Sequence, residues 1–153
     1  MKKNILLIIT ALLFVIANAY NGHYNSPGGI TCTPYVIIAT TLIAAFALSS
    51  KPVYKVLFSL FFMVLNDVLI RLYSGGRHDP EGGGWIMLSL LLGAFSSFLI
   101  LLIAIYRDKN ETRRGKIIAL LLFPVIVIIY TCFFDHLGVE VMAPKKVDLA
   151  IGR

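Results

Sequence analysis

Apolar residues in this chain are gathered into five long runs that short polar segments separate. The runs cover residues 5–20, 34–49, 53–73, 85–106 and 117–134. A helix needs about 20 apolar residues to cross a bilayer, and its backbone groups must be hydrogen-bonded within the segment. The pattern therefore predicts an all-α integral membrane protein, a bundle of four or five transmembrane helices with short loops.

The first run has two interpretations. Two lysines precede a short apolar stretch, and Ala17-Asn18-Ala19 then has the small-x-small form of a signal-peptidase site. Residues 1–20 are therefore either the first transmembrane helix or a cleavable signal peptide. In both cases residues 21–136 are predicted to form a four-helix transmembrane domain, and residues 137–153 an extracytoplasmic tail.

Helix boundaries are indicated by prolines, glycines and aromatic residues. Pro34 and Pro52 are predicted near helix starts, where a missing N–H costs little. Gly82, Gly83 and Gly84 are predicted to precede the fourth helix, and Pro124 to bend the fifth. Aromatic residues expected at the membrane interfaces are Tyr20, Tyr24, Tyr35, Tyr54, Tyr73, Trp85, Tyr106 and Tyr130. Small residues at intervals of four predict two close-packing faces, formed by Ser89, Gly93 and Ser97 and by Thr41, Ala45 and Ser49.

The composition agrees with a membrane protein and excludes several other classes. Hydrophobic residues make up 58% of the 153 residues and charged residues 14%, against roughly 45–50% and about 25% in soluble domains. A soluble globular domain, a disordered chain and a nucleic-acid-binding module are thereby excluded. The expected surroundings are the lipid bilayer, with no nucleic acid as a partner.

The distribution of lysine and arginine predicts the orientation. With the N-terminus in the cytoplasm, nine of these residues fall on the inner side and five on the outer side. Because cytoplasmic loops carry the excess of positive charge, we expect a cytoplasmic N-terminus and an extracytoplasmic C-terminus. The short N-terminal start is typical of bacterial insertion signals, so the expected location is a plasma membrane, the bacterial inner membrane.

This orientation gathers titratable side chains on the outer side. The glycine-rich loop of residues 75–84 contains His78, Asp79 and Glu81, and Asp135-His136 follows the fifth run. With His136, the three loop residues form a donor set that fits a divalent metal ion, the one cofactor considered, and they could also perform acid–base chemistry. No established zinc or phosphate-loop motif is present. The alternatives are a flexible polar turn, a recognition loop for a partner, and a polar exit from the bilayer.

The third run contains the residues whose placement inside a membrane costs the most free energy. Asn66, Asp67 and Arg71 lie in its second half, and Asp67 and Arg71 share a helix face because they are four residues apart. One interpretation is a helix-packing clamp whose arginine reaches the surface. In the other, Asp67 is the floor of an outward-opening cavity beneath the His78 loop.

Two cysteines are also predicted near the outer edge. Cys32 and Cys132 could form a disulfide there, because extracytoplasmic space is oxidising. The alternative is a pair of separate buried thiols that serve as small apolar groups.

Three functions remain open from the sequence. The first is binding, an accessory interaction in which the extracytoplasmic polar face engages a membrane-protein partner, a lipid, a small ligand or a second copy of the chain. The second is an integral-membrane enzyme for a lipid-like or anionic substrate, with a site built from Asp67, Arg71, His78, Asp79, Glu81, Asp135 and His136. The third is an ion or proton pathway through an oligomer, lined by Asn66 and Asp67.

Overall fold

The computed structural model describes residues 2–25, 28–73, 80–109 and 111–134. Within these ranges the secondary structure is helical, without strands. The helices are α1 (Lys2–Tyr24), α2 (Gly28–Leu42), α3 (Pro52–Leu72), α4 (Pro80–Arg107) and α5 (Arg113–Phe134), and α2 continues into a π-helical segment, Ile43–Ala47. The predicted all-α bundle is thereby confirmed.

Each of the five helical segments is long and apolar enough to cross a bilayer. The first is longer than its apolar run suggests, because α1 continues through Ala17-Asn18-Ala19 to Tyr24 and reaches 23 residues. Large apolar side chains such as Phe61, Phe95 and Leu121 face outward, each at least 60% exposed. Lipid tails solvate such side chains, whereas water would not. The chain is therefore a multi-pass helical membrane protein.

Successive helices run in opposite directions, so the bundle has two ends. The antiparallel order is shown by the approach of Gly29, near the start of α2, to Gly22, near the end of α1. The helices α1 and α3 run in the same direction and end together, where His23 approaches Tyr73. We call one end the basic end, and it holds Lys51, Arg107, Lys109, Arg113 and Arg114. We call the other the far end, where α1 ends, α2 begins, α3 ends and α4 begins.

Two helix starts contradict the boundaries that the prolines and glycines predict. α2 begins at Gly28, so the prediction that Pro34 lies near a helix start is wrong, and this proline lies inside the helix. α4 begins at Pro80, so the glycines at 82–84 lie in its first turns and do not precede it. Membrane helices tolerate proline and glycine better than soluble helices do, because the low-dielectric surroundings favour internal hydrogen bonds. Pro52 does lie at the start of α3, as predicted.

Two apolar clusters fill the interior. The larger one joins α2, α3, α4 and α5 and includes Met63, Leu90 and Leu101, all fully buried. The smaller one packs Ala11 and Val15 of α1 against Phe62 of α3. Because α1 contributes completely buried side chains to this cluster, it is an integral part of the bundle in the structure.

The seam between α2 and α4 confirms the close-packing face predicted for α4. Gly93 lies against Ile37 and Pro34 of α2, Ser97 is buried, and the Thr41 hydroxyl donates a hydrogen bond of 2.8 Å to the Ser97 hydroxyl. On α2, Thr41 and Ala45 are buried as predicted, but Ser49 lies beyond the helix and is exposed. The small residues allow the two backbones to approach each other closely.

The π-helical segment ends the second span at the basic end. Its widened turn is closed by the Leu48 N–H, which donates to the Ile43 carbonyl at 3.0 Å. Lys55 of α3 then donates from Nζ to the Ala45 carbonyl at 3.1 Å. A cation at the carboxyl end of a helix is favourable because that end carries partial negative charge. This contact fixes the tight turn between α2 and α3.

We predict that Gly93→Ala destabilises the protein and that Gly84→Ala does not. A Cβ on Gly93 would lie 2.8 Å from Ile37 Cδ1 and 3.2 Å from the Pro34 backbone, whereas a Cβ on Gly84 would meet no atom within 4 Å. Overpacking of this kind costs about 1–3 kcal/mol. The measurement is the free energy of unfolding of both variants in detergent micelles. Equal stability of the two variants would contradict the described α2–α4 seam.

Candidate functional site

Three helices meet at a buried network of polar side chains in the half of the bundle nearest the far end. The Asn18 amide of α1 donates to Asn66 Oδ1 of α3 at 2.9 Å and to the Thr33 hydroxyl of α2 at 3.4 Å. The Asn66 amide donates to the same hydroxyl at 3.3 Å. All three side chains are almost completely buried. We call Asn18, Thr33 and Asn66 the amide network.

The amide network is possible because α1 and α2 approach each other closely beside it. A Cβ on Gly29 would lie 2.6 Å from the Gly22 Cα, so only glycine fits at this crossing. The Thr33 hydroxyl completes its bonds by donating to the Gly29 carbonyl at 2.9 Å. Among the described residues, Asn18 Oδ1 is buried without a hydrogen-bond partner, a cost of about 1–3 kcal/mol. The three helices are therefore held together by polar bonds as well as by apolar packing.

A second buried group, which we call the carboxylate cluster, consists of Asp67, Arg71 and Tyr130. Arg71 donates from Nε to Asp67 Oδ2 at 2.7 Å, and the Tyr130 hydroxyl donates to the same oxygen at 2.6 Å. The residues are 1%, 4% and 6% exposed, respectively. The cluster thus brings a negative charge, a positive charge and a hydroxyl together inside the bundle and connects α3 to α5.

The carboxylate cluster confirms one prediction and corrects two others. Asp67 and Arg71 pair along one helix face, as their spacing predicts. The prediction that Arg71 reaches the surface is wrong, because its guanidinium is held inside by the bond to Asp67. The prediction that Tyr130 belongs to the interfacial aromatic residues is also wrong, because Tyr130 faces Asp67 instead of the lipid. Both deviations have the same cause, because a buried carboxylate is stabilised by hydrogen-bond donors that lie close to it.

This geometry fits the clamp interpretation of Asp67. Two donors converge on one carboxylate oxygen, which lowers the cost of the charge and ties two helices together at the same time. The amide network and the carboxylate cluster are adjacent, because Asn66 and Asp67 follow each other on α3. Both groups therefore hold the helices together near the far end through hydrogen bonds in the interior of the bundle.

An aromatic contact lies above these groups at the far end. His23 Nδ1 is 3.0 Å from the Tyr73 carbonyl oxygen, and the two rings stack with their centroids 4.8 Å apart. The edge of the neighbouring Tyr24 ring also contacts the imidazole. His23 is exposed, and its contacts link the ends of α1 and α3.

Most of the predicted outer site lies outside the described residues. His78, Asp79, Asp135 and His136 fall in segments that the structure does not describe, and Glu81 is described only as part of the first turn of α4. The enzyme site, the metal site and the approach of Asp135-His136 to the His78 loop therefore stay predictions. Within 2–25, 28–73, 80–109 and 111–134, no three His, Cys, Asp or Glu side chains are grouped as metal ligands.

The cysteines are described as two free thiols. Cys32 is partly buried and its sulfur accepts a weak hydrogen bond of 3.8 Å from the Asn21 amide, while Cys132 is exposed on α5. The thiols are thus separate in the structure, but the expected burial is wrong for Cys132 and only partial for Cys32. Disulfide formation stays a prediction for an oxidising compartment.

Sequence reasoning missed three members of the two buried groups. Asn18, Thr33 and Tyr130 have no charge, and nothing in their sequence spacing connects them with Asn66 or Asp67. One available indication was that a polar side chain deep in an apolar run needs a partner on another helix. Applied to Asn18 in the first run, this rule favours a neighbour on another span.

Comparison with known proteins yields no relative: no protein-family model, no curated protein and no solved structure matches the chain. The function must therefore be inferred from the geometry and chemistry of the chain itself.

We predict that Asp67→Asn destabilises the protein by about 3–5 kcal/mol, because it removes the negative partner of a buried guanidinium. Tyr130→Phe should cost less, about 1.5–3 kcal/mol, because it removes one hydrogen bond to a charged group and leaves the ion pair intact. The measurement is the free energy of unfolding in detergent micelles. A further control is the double variant Asp67→Leu/Arg71→Met, which removes both charges and should be more stable than Asp67→Asn. A larger cost for Tyr130→Phe than for Asp67→Asn would contradict the clamp.

Proposed function

We propose that the protein works by binding, as an accessory membrane protein whose far end engages a partner. The observation that carries this proposal is the bracing of the far end: polar bonds from the amide network, the carboxylate cluster and His23 join α1, α2, α3 and α5 there. Rigid support of this kind lowers the entropy lost when a surface binds a partner. Asp67 and Arg71 of the carboxylate cluster bond to each other. This pairing favours a structural role for the two residues over a catalytic one.

We further propose that the far end is extracytoplasmic and that the chain lies in a plasma membrane, the bacterial inner membrane, with a cytoplasmic N-terminus and an extracytoplasmic C-terminus. Charge supports this orientation, because the basic end gathers lysines and arginines from two helix connections. The positive-inside rule favours the cytoplasm for that end. In this orientation the ends of α1, α3 and α5 lie on the extracytoplasmic side together with the start of α2.

We also propose that the first helix is retained in the mature protein. Ala11 and Val15 are completely buried, and the amide of Asn18 donates to two other helices. Cleavage after Ala19 would remove these side chains and leave Asn66 and Thr33 without the Asn18 donor. The loss of a partner for buried polar groups is unfavourable in lipid, which supports α1 as a permanent transmembrane helix.

The partner we propose is another membrane protein or a second copy of this chain. The far end is surrounded by exposed aromatic residues, namely Tyr20, Tyr24, Tyr73 and Trp85. Tyrosine and tryptophan combine an apolar ring with a polar edge, so they favour both membrane interfaces and protein interfaces. They are therefore suitable positions for probes of contact.

The orientation and the retained helix can be tested in one experiment on a chain in which both cysteines are replaced by alanine. We expect Asn25→Cys, at the far end, to react in intact cells with a maleimide that cannot cross membranes. Lys109→Cys, at the basic end, should react only after the membrane is broken. Both positions are exposed. The intact mass of the purified, labelled protein should correspond to a chain that includes α1.

Labelling of Lys109→Cys from outside would contradict the orientation. A mass that lacks the first 19 residues would contradict retention of α1. Because labelling reports the orientation and the intact mass reports the retention of α1, either prediction can fail without the other.

The binding proposal can be tested by photo-crosslinking in cells. We expect a benzophenone amino acid in place of Tyr24 or Trp85 to give a discrete crosslinked product after illumination. The matched control is the same substitution at Tyr54, which is 61% exposed, close to the 63% of Tyr24, but lies at the basic end. Co-expression of two differently tagged copies distinguishes a second copy of the chain from another membrane protein. Equal yields from Tyr24 and Tyr54, or no product at Tyr24 and Trp85, would contradict a partner at the far end.

A further inference from the structure

A groove of about 610 Å³ lies at the opposite, basic end, between the last turn of α4 and the first turns of α5. Its apolar wall is formed by Ile105, Ile117 and Leu120. Its polar rim includes Tyr106, Arg113 and Lys116. The groove is open to the surroundings, so a ligand could enter it from the side of the bundle.

The position of the groove relative to the membrane determines what can occupy it. Arg113 is the first residue of α5, and Leu120 lies seven residues into the span, or about 10 Å along the helix. The apolar wall therefore extends into the hydrocarbon, while the rim lies at the headgroup level. Next to the groove, Tyr106 is 81% exposed and Ile117 49% exposed, so the wall continues onto the lipid-facing surface.

The rim offers hydrogen-bond donors to an anion. Lys116 donates from Nζ to the Tyr106 carbonyl at 3.2 Å, which holds its ammonium group beside the end of α4. An ammonium group has three donors, so this bond leaves donors for a second acceptor. Arg113 is exposed at the rim, and a guanidinium can bind two phosphate oxygens at once.

One acidic residue, Glu111, also lines the groove. Its contacts with the start of α5 reduce the effect of its negative charge on a bound anion. Glu111 Oε1 accepts a hydrogen bond from the Thr112 backbone N–H at 3.2 Å and lies over Gly115, where an added Cβ would be only 2.6 Å away. The carboxylate is thus folded back onto the start of α5. Around it, residues 107–116 contain five cationic side chains and two acidic ones, so the local charge is positive.

We propose that this groove is a binding site for an anionic phospholipid. Arg113 and Lys116 bind the phosphate headgroup, and an acyl chain lies along Ile105, Ile117 and Leu120. The combination of a cationic rim at headgroup level and an apolar wall below it matches the two parts of such a lipid, whereas a soluble anion would use the rim alone. The site is at the other end of the bundle from the proposed partner surface, so it stands or falls independently of that surface.

The test is lipid binding to the purified full-length protein in detergent, measured by native mass spectrometry with added phosphatidylglycerol. We expect Arg113→Gln/Lys116→Gln to weaken binding at least tenfold, since each surface cation contributes about a four- to fivefold factor toward anionic lipid. The matched control is Lys109→Gln/Arg114→Gln, which removes the same charge from the same segment without touching the groove. This control should weaken binding by a clearly smaller factor, because its side chains add to the surface potential but do not line the groove.

Three further measurements distinguish an anionic phospholipid in the groove from a zwitterionic lipid and from a soluble anion on the rim. Ile117→Trp keeps every cation but fills the groove, and it should weaken phosphatidylglycerol binding as well. Phosphatidylcholine with the same acyl chains should bind roughly tenfold more weakly, because its choline cation cancels the net headgroup charge that attracts the two cationic side chains. Inorganic phosphate should not compete at equal concentration.

Four results would each overturn the proposal: equal weakening by both double variants, unchanged binding by Ile117→Trp, equal binding of phosphatidylcholine, or competition by phosphate. Thermal unfolding of every variant confirms that the compared proteins are folded.

Discussion

A carboxylate in the hydrocarbon of a membrane is stable only when hydrogen-bond donors or a cation lie beside it. The packing of the bundle around Asp67 meets this requirement. The charge of Asp67 costs several kcal/mol unless donors surround it. Arg71 supplies one donor from the next turn of α3, and Tyr130 supplies another from α5. Because Tyr130 reaches the same oxygen that Arg71 bonds, one hydrogen bond with strict geometry links α5 to α3.

The neighbouring residue, Asn66, extends the polar contacts of α3 to two further helices. Successive residues on a helix point about 100° apart, so Asn66 and Asp67 face different neighbours. Asn66 bonds to Asn18 and Thr33, while Asp67 faces α5. α3 therefore occupies the centre of the arrangement at the far end, with α1 and α2 on one side and α5 on the other. The apolar clusters fill the space that these polar contacts define.

The sequence predicts the parts of this structure that depend on local rules. Long apolar runs predict the spans because lipid forces helices, and the spacing of Asp67 and Arg71 predicts their pairing because the helix itself sets it. The partners of Asn66 and the bond from Tyr130 depend on how separate helices pack, which no local rule contains. Pro34 and the glycines at 82–84 were misplaced for another reason. Their helix-breaking tendency is measured in water, where backbone groups can bond to solvent, and it is weaker in lipid. Of the candidate outer site, Asp67, Arg71 and Glu81 lie in the described part of the chain, Glu81 only as part of α4.

The pairing of Asp67 with Arg71 has a consequence for how the protein is made. A ribosome delivers α3 to the membrane before it has synthesised Tyr130, which follows Asp67 by 63 residues. During that interval the charge must be offset by a partner that is already synthesised. Arg71, one turn away, is such a partner, so α3 can leave the translocon as a nearly neutral segment. The bond from α5 is then added last, and it completes a helix that is already in place.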